Sequence, residues 1–112
     1  MARKQIAQTR PSGTTATTFI QEDRPWTVDL VMVTNTGAVS AAVSLYHDAD
    51  GTTYDTSTAI LYTISVAVGE VYMIEFAAPI RNIDRSGSLG VQASVADTLT
   101  ITAFGEVEGE RQ

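Results

Sequence analysis

What most constrains this chain is an alternation of apolar and small polar residues with a period of two, recurring along its length. Val28-Asp29-Leu30-Val31-Met32, Ala41-Ala42-Val43-Ser44-Leu45, Leu89-Gly90-Val91-Gln92-Ala93 and Leu99-Thr100-Ile101-Thr102-Ala103 change face from one residue to the next. Successive side chains of a strand point to opposite sides, so each segment asks for one covered face and one open face. No window carries the three-to-four residue spacing of an amphipathic helix. The 16 threonines suit a half-exposed sheet surface, where a branched side chain packs well.

Turn chemistry divides the chain about every ten residues. Residues 4–9 read as an edge strand or an extended arm, ended by Arg10-Pro11-Ser12-Gly13. Strands are predicted over 14–20, 26–35, 39–47, 59–68, 71–76, 89–95 and 99–107, with a loop over 79–87. Trp26, Val28, Leu30 and Met32 are expected on one face, as are Ile60, Tyr62, Ile64, Val66 and Val68. Tyr72, Ile74 and Phe76 should point inward. Asn35-Thr36-Gly37 has hairpin chemistry, and 89–95 with 99–107 should form a final hairpin across Ala96-Asp97-Thr98. The spacing predicts one all-β domain over 1–112: an antiparallel β-sandwich, jelly-roll-like, of about eight strands. Residues 1–12 would be an extended N-terminal arm and 108–112 a flexible acidic tail.

The core of such a domain would be thin. Alanine is frequent among the apolar residues and there are only eight aromatics, so large buried side chains are few. Small cores are often supplemented by association, here expected as a homotrimer or other symmetric oligomer. Cysteine is absent, which removes disulfides and thiolate chemistry. A single histidine cannot furnish a zinc site. No apolar run is long enough to span a bilayer, and no apolar stretch follows the N-terminal charges as in a signal peptide. The expectation is a cytoplasmic product with no cofactor and no membrane partner.

Charge is uneven. Residues 1–12 carry Arg3, Lys4 and Arg10 and no acid, whereas the other 100 residues hold four arginines against thirteen acids. A basic arm on an acidic body suits docking to an acidic protein surface, and Arg3, Lys4 and Arg10 are the candidate contacts. Nucleic acid is a poor partner, because the body would repel phosphate. The plain alternative is a terminus that happens to be basic.

Three local features invite chemistry and each has a plainer explanation. Asp48-Ala49-Asp50-Gly51-Thr52-Thr53-Tyr54-Asp55 places three carboxylates in eight residues, as a calcium loop does. Aligning Gly51 with the invariant glycine of an EF-hand puts Tyr46 and Ser57 at the first and last ligand positions, and neither is a carboxylate. A solvated turn explains the same residues. His47 lacks a nucleophile motif to serve, and Asp48 beside it points the other way on a strand, so a surface or subunit-contact role is expected. Asp29 and Glu75 could form a glycosidase-like carboxylate pair, but two acids on outward strand faces are the plainer and expected explanation. No enzyme is expected.

The segment from Asp48 to Tyr62 and the opening Gln8-Thr9-Arg10-Pro11 resemble stretches of small virion structural proteins of tailed bacteriophages. Asn35-Thr36 after Val31-Met32-Val33, and the light final strand Leu99 to Phe104, add to that resemblance. It implies a β-sandwich without catalytic residues, most simply a capsid decoration (cement) protein on the capsid surface of a virion, made in the host cytoplasm. Its partners would be the major capsid protein and copies of itself. The same resemblance also allows a tail, fibre or head–tail connector component. A carbohydrate-binding module is a reading from another class, resting on Trp26, Tyr46, Tyr54 and Tyr62. Of these, Trp26 and Tyr62 are expected in the core.

Overall fold

In a computed structural model that describes residues 4–108, the chain forms eight strands and no helix among those residues. They are β1 (Lys4–Thr9), β2 (Thr17–Ile20), β3 (Trp26–Asn35), β4 (Ala41–Asp48), β5 (Ala59–Val66), β6 (Val71–Asn82), β7 (Ser88–Ala93) and β8 (Leu99–Val107). Two four-stranded sheets result: sheet A in the order β1-β8-β3-β6 and sheet B in the order β2-β7-β4-β5. The pairs β1·β8, β2·β7, β3·β6 and β4·β5 are those of one long hairpin folded at its middle. Rolling that hairpin up adds β3·β8 and β4·β7. Every pairing is antiparallel, and the fold is a jelly-roll β-sandwich, as the period-two pattern predicts.

Rolling up explains two departures from the expected connections. Asn35-Thr36-Gly37 does not close a hairpin, because β3 lies in sheet A and β4 in sheet B. Nor do β7 and β8 pair with each other; the turn at Ala96-Asp97-Thr98 carries the chain between sheets. Turn residues encode a reversal of direction but not the roughly 10 Å step from one sheet to the next. A buried side chain fixes that step at one corner. Asn35 donates from Nδ2 to the carbonyls of Val39 and Val66, each at 2.9 Å, and accepts from the Gly37 amide at 3.0 Å.

Two bulges reverse face assignments. Val28 pairs with Gly105 of β8 and Leu30 with Phe104, so two steps on β3 match one on β8, with Asp29 as the extra residue. Trp26, Val28, Val31 and Val33 therefore point into the core, while Leu30 and Met32 leave it for the outer face. On β5, Val43 pairs with Ile64 but Leu45 with Leu61, so three steps oppose two. Thr63 takes up the excess at φ +50°, a left-handed conformation that disfavours a β-branched residue. Leu61, Ile64 and Val66 face the core, whereas Ile60 and Tyr62 face solvent. Tyr62 is 52% exposed and is not a core residue.

The core lies between the sheets. Trp26, Val28, Val31, Val33, Leu99, Ile101 and Ala103 of sheet A meet Val43, Leu45, Val66, Leu89, Val91 and Ala93 of sheet B. Residues 4–9 take the edge-strand alternative, with Ile6 and Ala7 packed on this core. β6 runs on to Asn82, past the point where a loop was expected. Pro79 is tolerated because the β3–β6 ladder is interrupted between Glu75 and Ile80 on an edge strand.

Candidate functional site

The outward-facing residues of sheet A form rows across its strands. From β1 to β6 one row reads Gln5, Phe104, Leu30, Glu75, and the next Gln8, Thr102, Met32, Met73. A third reads Thr100, Thr34, Val71. Leu30, mid-row, is 7% exposed, but Met73 and Val71 at the β6 side are 57% and 50% exposed. Glu75 is the sole charged residue in these rows. Beyond them the face becomes charged, with Glu106, Thr27 and Arg81 in line and Arg81 paired to Glu108 at 2.7 Å. The face mixes apolar and polar positions, with its exposed apolar residues at the β6 side and a charged margin.

Sheet B is finished differently. The connection between β4 and β5 folds back over its outer face and lays Tyr54 against Gly90. A Cβ at Gly90 would stand 2.5 Å from the Tyr54 ring, so only glycine lets the ring this close. The Tyr54 hydroxyl meets Thr18 Oγ1 and Ser88 Oγ, each at 2.7 Å, and Ser88 Oγ donates to the Gly51 carbonyl. Tyr46, its ring centroid 6.0 Å from that of Tyr54, is buried on this outer face and donates to Gln92 Oε1. Beside this roofed part a depression of about 160 Å³ remains, lined by Ala42, Ser44, Tyr62, Thr63, Gln92 and Ser94.

The acidic stretch holds the roof in place. Asp48 accepts from the amides of Thr53 and Asp50, at 2.8 and 3.2 Å, and these bonds hold its carboxyl below the ordinary value. The Ser57 hydroxyl, then the Ser57 amide, do the same for Asp55. Each carboxylate closes a turn, as the plainer reading expects. Among the described residues no group of three His, Cys, Asp or Glu is placed to hold a metal ion.

His47 is neither at the surface nor beside a nucleophile. It lies half-buried, its ring 5.7 Å from that of Trp26 in an edge arrangement, with Nε2 at 2.9 Å from Asn82 Oδ1. Asn82 in turn donates to the Asp84 carbonyl, so His47 and Asn82 link β4 to the end of β6. Glu75 is exposed on sheet A, and Asp29 occupies the β3 bulge.

The three candidate cations are not brought together. Arg3 lies outside the described residues. Lys4 begins β1. Arg10, at the far end of that strand, donates to Thr36 Oγ1 at 2.7 Å and to the Asp97 carbonyl, clamping two turns to the strand. The Asp97 amide donates back to the Pro11 carbonyl. Of the expected tail 108–112, Glu108 is tied by its amide to Pro25 and by its carboxylate to Arg81. The remaining four residues lie outside the described part.

Sequence reasoning passed over the bare face of sheet A and the roof of sheet B. The first depends on the Asp29 bulge, which no local pattern announces. A signal for the second was present in Gly90, mid-strand where a side chain would normally help packing. Compared with protein-family models the chain matches none, and a comparison with curated proteins finds no match.

Proposed function

We propose that this chain is a non-enzymatic structural protein of a tailed-phage virion, most simply a capsid decoration protein that bridges neighbouring capsid subunits. The observation that carries this reading is the outer face of sheet A, which no described segment folds over and which leaves Met73 and Val71 half exposed, on a domain whose polar clusters serve its own turns. A complete jelly roll with one uncovered face is suited to assembly. The resemblance of the Asp48–Tyr62 segment to small phage virion proteins supplies the context. The contacts proposed from charge are Arg3, Lys4 and Arg10, the last of which also clamps two turns. Multivalent attachment would let a modest contact of this kind hold firmly.

Particles purified from an infection should contain the chain in a copy number comparable to that of the major capsid protein. Particles lacking it should lose thermal or osmotic stability. A much lower copy number, with unchanged particle stability, would assign it to a tail or connector instead.

One observation favours a second reading, a carbohydrate-binding surface. The Thr63 bulge turns the Tyr62 ring outward beside an uncharged depression lined by serine, threonine and glutamine side chains. Aromatic rings with hydroxyl and amide neighbours suit a sugar ring. A glycan array should then give a hit that Tyr62→Ala abolishes and Tyr62→Phe retains; an array without hits dismisses this reading.

A further inference from the structure

We propose that Asp50–Gly51 is a site of spontaneous modification in the folded chain, where aspartate passes through a cyclic imide to isoaspartate, and that this conversion unlatches the roof over sheet B. The inference concerns the chain itself and does not depend on its place in a virion.

The reaction needs a carboxyl carbon, the amide nitrogen of the next residue and room for the two to meet. The Gly51 nitrogen attacks Cγ of Asp50 and a C–N bond forms. The carboxyl hydroxyl leaves with the amide proton as one water. Water then adds back to the imide. Breaking the new bond to Cγ restores aspartate. Breaking instead the bond from nitrogen to the main-chain carbonyl carbon of Asp50 leaves the chain running through Cγ, with one more methylene in the backbone. One water is lost and one regained, and nothing is oxidised or reduced.

Sequence and structure select the same residue. Of the seven aspartates only Asp50 precedes a glycine. A side chain on the following residue crowds the attacking nitrogen, and glycine also takes the dihedrals that ring closure demands. Asp48, Asp55 and Asp84 each accept an amide of their own turn. The Asp50 carboxyl is exposed and accepts no backbone amide among the described residues, and the Gly51 amide finds no acceptor among them. Both reacting groups are therefore uncommitted.

Two bonds flank the reacting pair. The Asp50 amide donates to Asp48 Oδ1, and the Gly51 carbonyl accepts from Ser88 Oγ at 2.7 Å. Ser88 Oγ in turn meets the Tyr54 hydroxyl. Ring closure must turn the chain between these two anchors, so the Ser88 latch slows it. Once isoaspartate forms, one more backbone C–C bond separates the anchors by up to about 1.5 Å. That exceeds the roughly 0.5 Å range over which an O–H···O bond holds. The Gly51 carbonyl then leaves Ser88, and the Tyr54 contact loses its support.

The test is prolonged incubation of the folded full chain at about pH 5, above the ordinary carboxyl range. Proteolysis and electron-transfer fragmentation, whose backbone ions distinguish isoaspartate from aspartate, then locate and quantify the product. The variants are Asp50→Glu, whose longer side chain disfavours ring closure, and Ser88→Ala, each checked for fold by far-UV circular dichroism. Tyr54→Phe, which removes only the hydroxyl, replaces Ser88→Ala if that variant does not fold. Isoaspartate should accumulate at position 50 ahead of every other aspartate and be absent from Asp50→Glu. It should form about fivefold faster in Ser88→Ala, the worth of one hydrogen bond. The isoaspartate form, separated by ion exchange, should lose hydrogen-exchange protection at the Thr53 amide while Val33 and Ile101 keep theirs. Isoaspartate that forms at position 50 in urea but not in the folded chain overturns the proposal, as does isoaspartate spread evenly over the aspartates. A converted form with wild-type protection at Thr53, or a latch variant that converts at the wild-type rate, overturns the unlatching.

Discussion

The outer faces of the two sheets obey the same alternation and are completed in opposite ways. On sheet A the outward positions mix Phe104, Leu30, Met32, Met73 and Val71 with Gln5, Gln8, Thr34, Thr100, Thr102 and Glu75, and Met73 and Val71 on the β6 side are half exposed. On sheet B they are filled by Gly90, Tyr46, Ser44 and Gln92, much of them covered by the returning β4–β5 connection. That connection is the single link of the roll that joins two strands of one sheet. It is therefore free to fold over that sheet instead of bridging the gap between them. Covering sheet B took a glycine at 90, a tyrosine at 54 and two carboxylates that close turns. Among the described residues no such link covers sheet A, and Met73 and Val71 at its β6 side stay half exposed.

Removing residues 2–10 should produce the largest effect and would strike sheet A alone. From the sequence, with Ile6 as its one large apolar residue, this segment is expected to be dispensable. In the structure it is a strand in register with β8, carries Ile6 and Ala7 to the core, and leads into the Arg10 clamp on two turns. Truncation should remove several kcal/mol, comparable to the whole stability of about 5–15 kcal/mol for a small domain. Urea denaturation should then show no cooperative transition. A cooperative transition at the wild-type midpoint would mean that sheet A needs only three strands.

A matched pair of substitutions tests the contrast directly. Tyr54→Ala opens the space over Gly90 and leaves Thr18 and Ser88 without their shared partner. The expected loss is about 2–4 kcal/mol. Met73→Ser, at an outward position of sheet A that is more than half exposed, should cost under about 0.5 kcal/mol in the monomer. Equal losses from thermal melts at low concentration would erase the distinction between a roofed and a bare face.

The architecture was legible because burial alternates with a period of two, and that pattern needs only local residues. Strand β3 and strand β8 are predicted at the bounds they take, 26–35 and 99–107. What local pattern could not carry was parity beyond a bulge. One unannounced residue at Asp29 sends Leu30 and Met32 outward, and one at Thr63 does the same for Ile60 and Tyr62. Connections were also illegible, since Asn35-Thr36-Gly37 reads the same whether the next strand pairs with β3 or crosses to the other sheet. The candidate surfaces depend on both, which is why the sequence led to the charges of Arg3, Lys4 and Arg10 and not to the outer face of sheet A.

Thr63 offers a smaller test of how sheet B obtained its outward tyrosine. Its φ of +50° should cost about 1–2 kcal/mol for a non-glycine residue. Thr63→Gly relieves that strain, and the greater unfolded-state freedom of glycine returns about 0.5–1 kcal/mol of it. The net expectation is a gain of about 0.5–1 kcal/mol, seen as a rise in Tm with the Tyr62 ring still exposed. A lower Tm would mean that the bulge is held by its side chain, which donates to the Tyr62 carbonyl, and is not strained.

The smallest effect is confined to the roof and is driven by pH. Asp48 and Asp55 have carboxyls held below the ordinary 3.8 in the folded chain, Asp48 by the Thr53 and Asp50 amides and Asp55 by the Ser57 hydroxyl and amide. A folded value below the unfolded one means that these bonds stabilise the loop above the unfolded pKa, near pH 4. That contribution is lost as pH falls further, through the folded values, because a protonated carboxyl is a weaker acceptor. Both groups are exposed, so the consequence is local loosening and not global unfolding. Hydrogen exchange of the Thr53 and Ser57 amides, corrected for intrinsic rate, should lose protection as pH falls below about 4 and on through the lowered folded values, while the amides of Val33 and Ile101 in sheet A keep theirs. Asp48→Asn should remove the pH dependence at Thr53 and leave that at Ser57. Protection at both amides that is flat with pH would show that the aspartates do not close the roof, and that the Tyr54 contact with Gly90 alone holds it down.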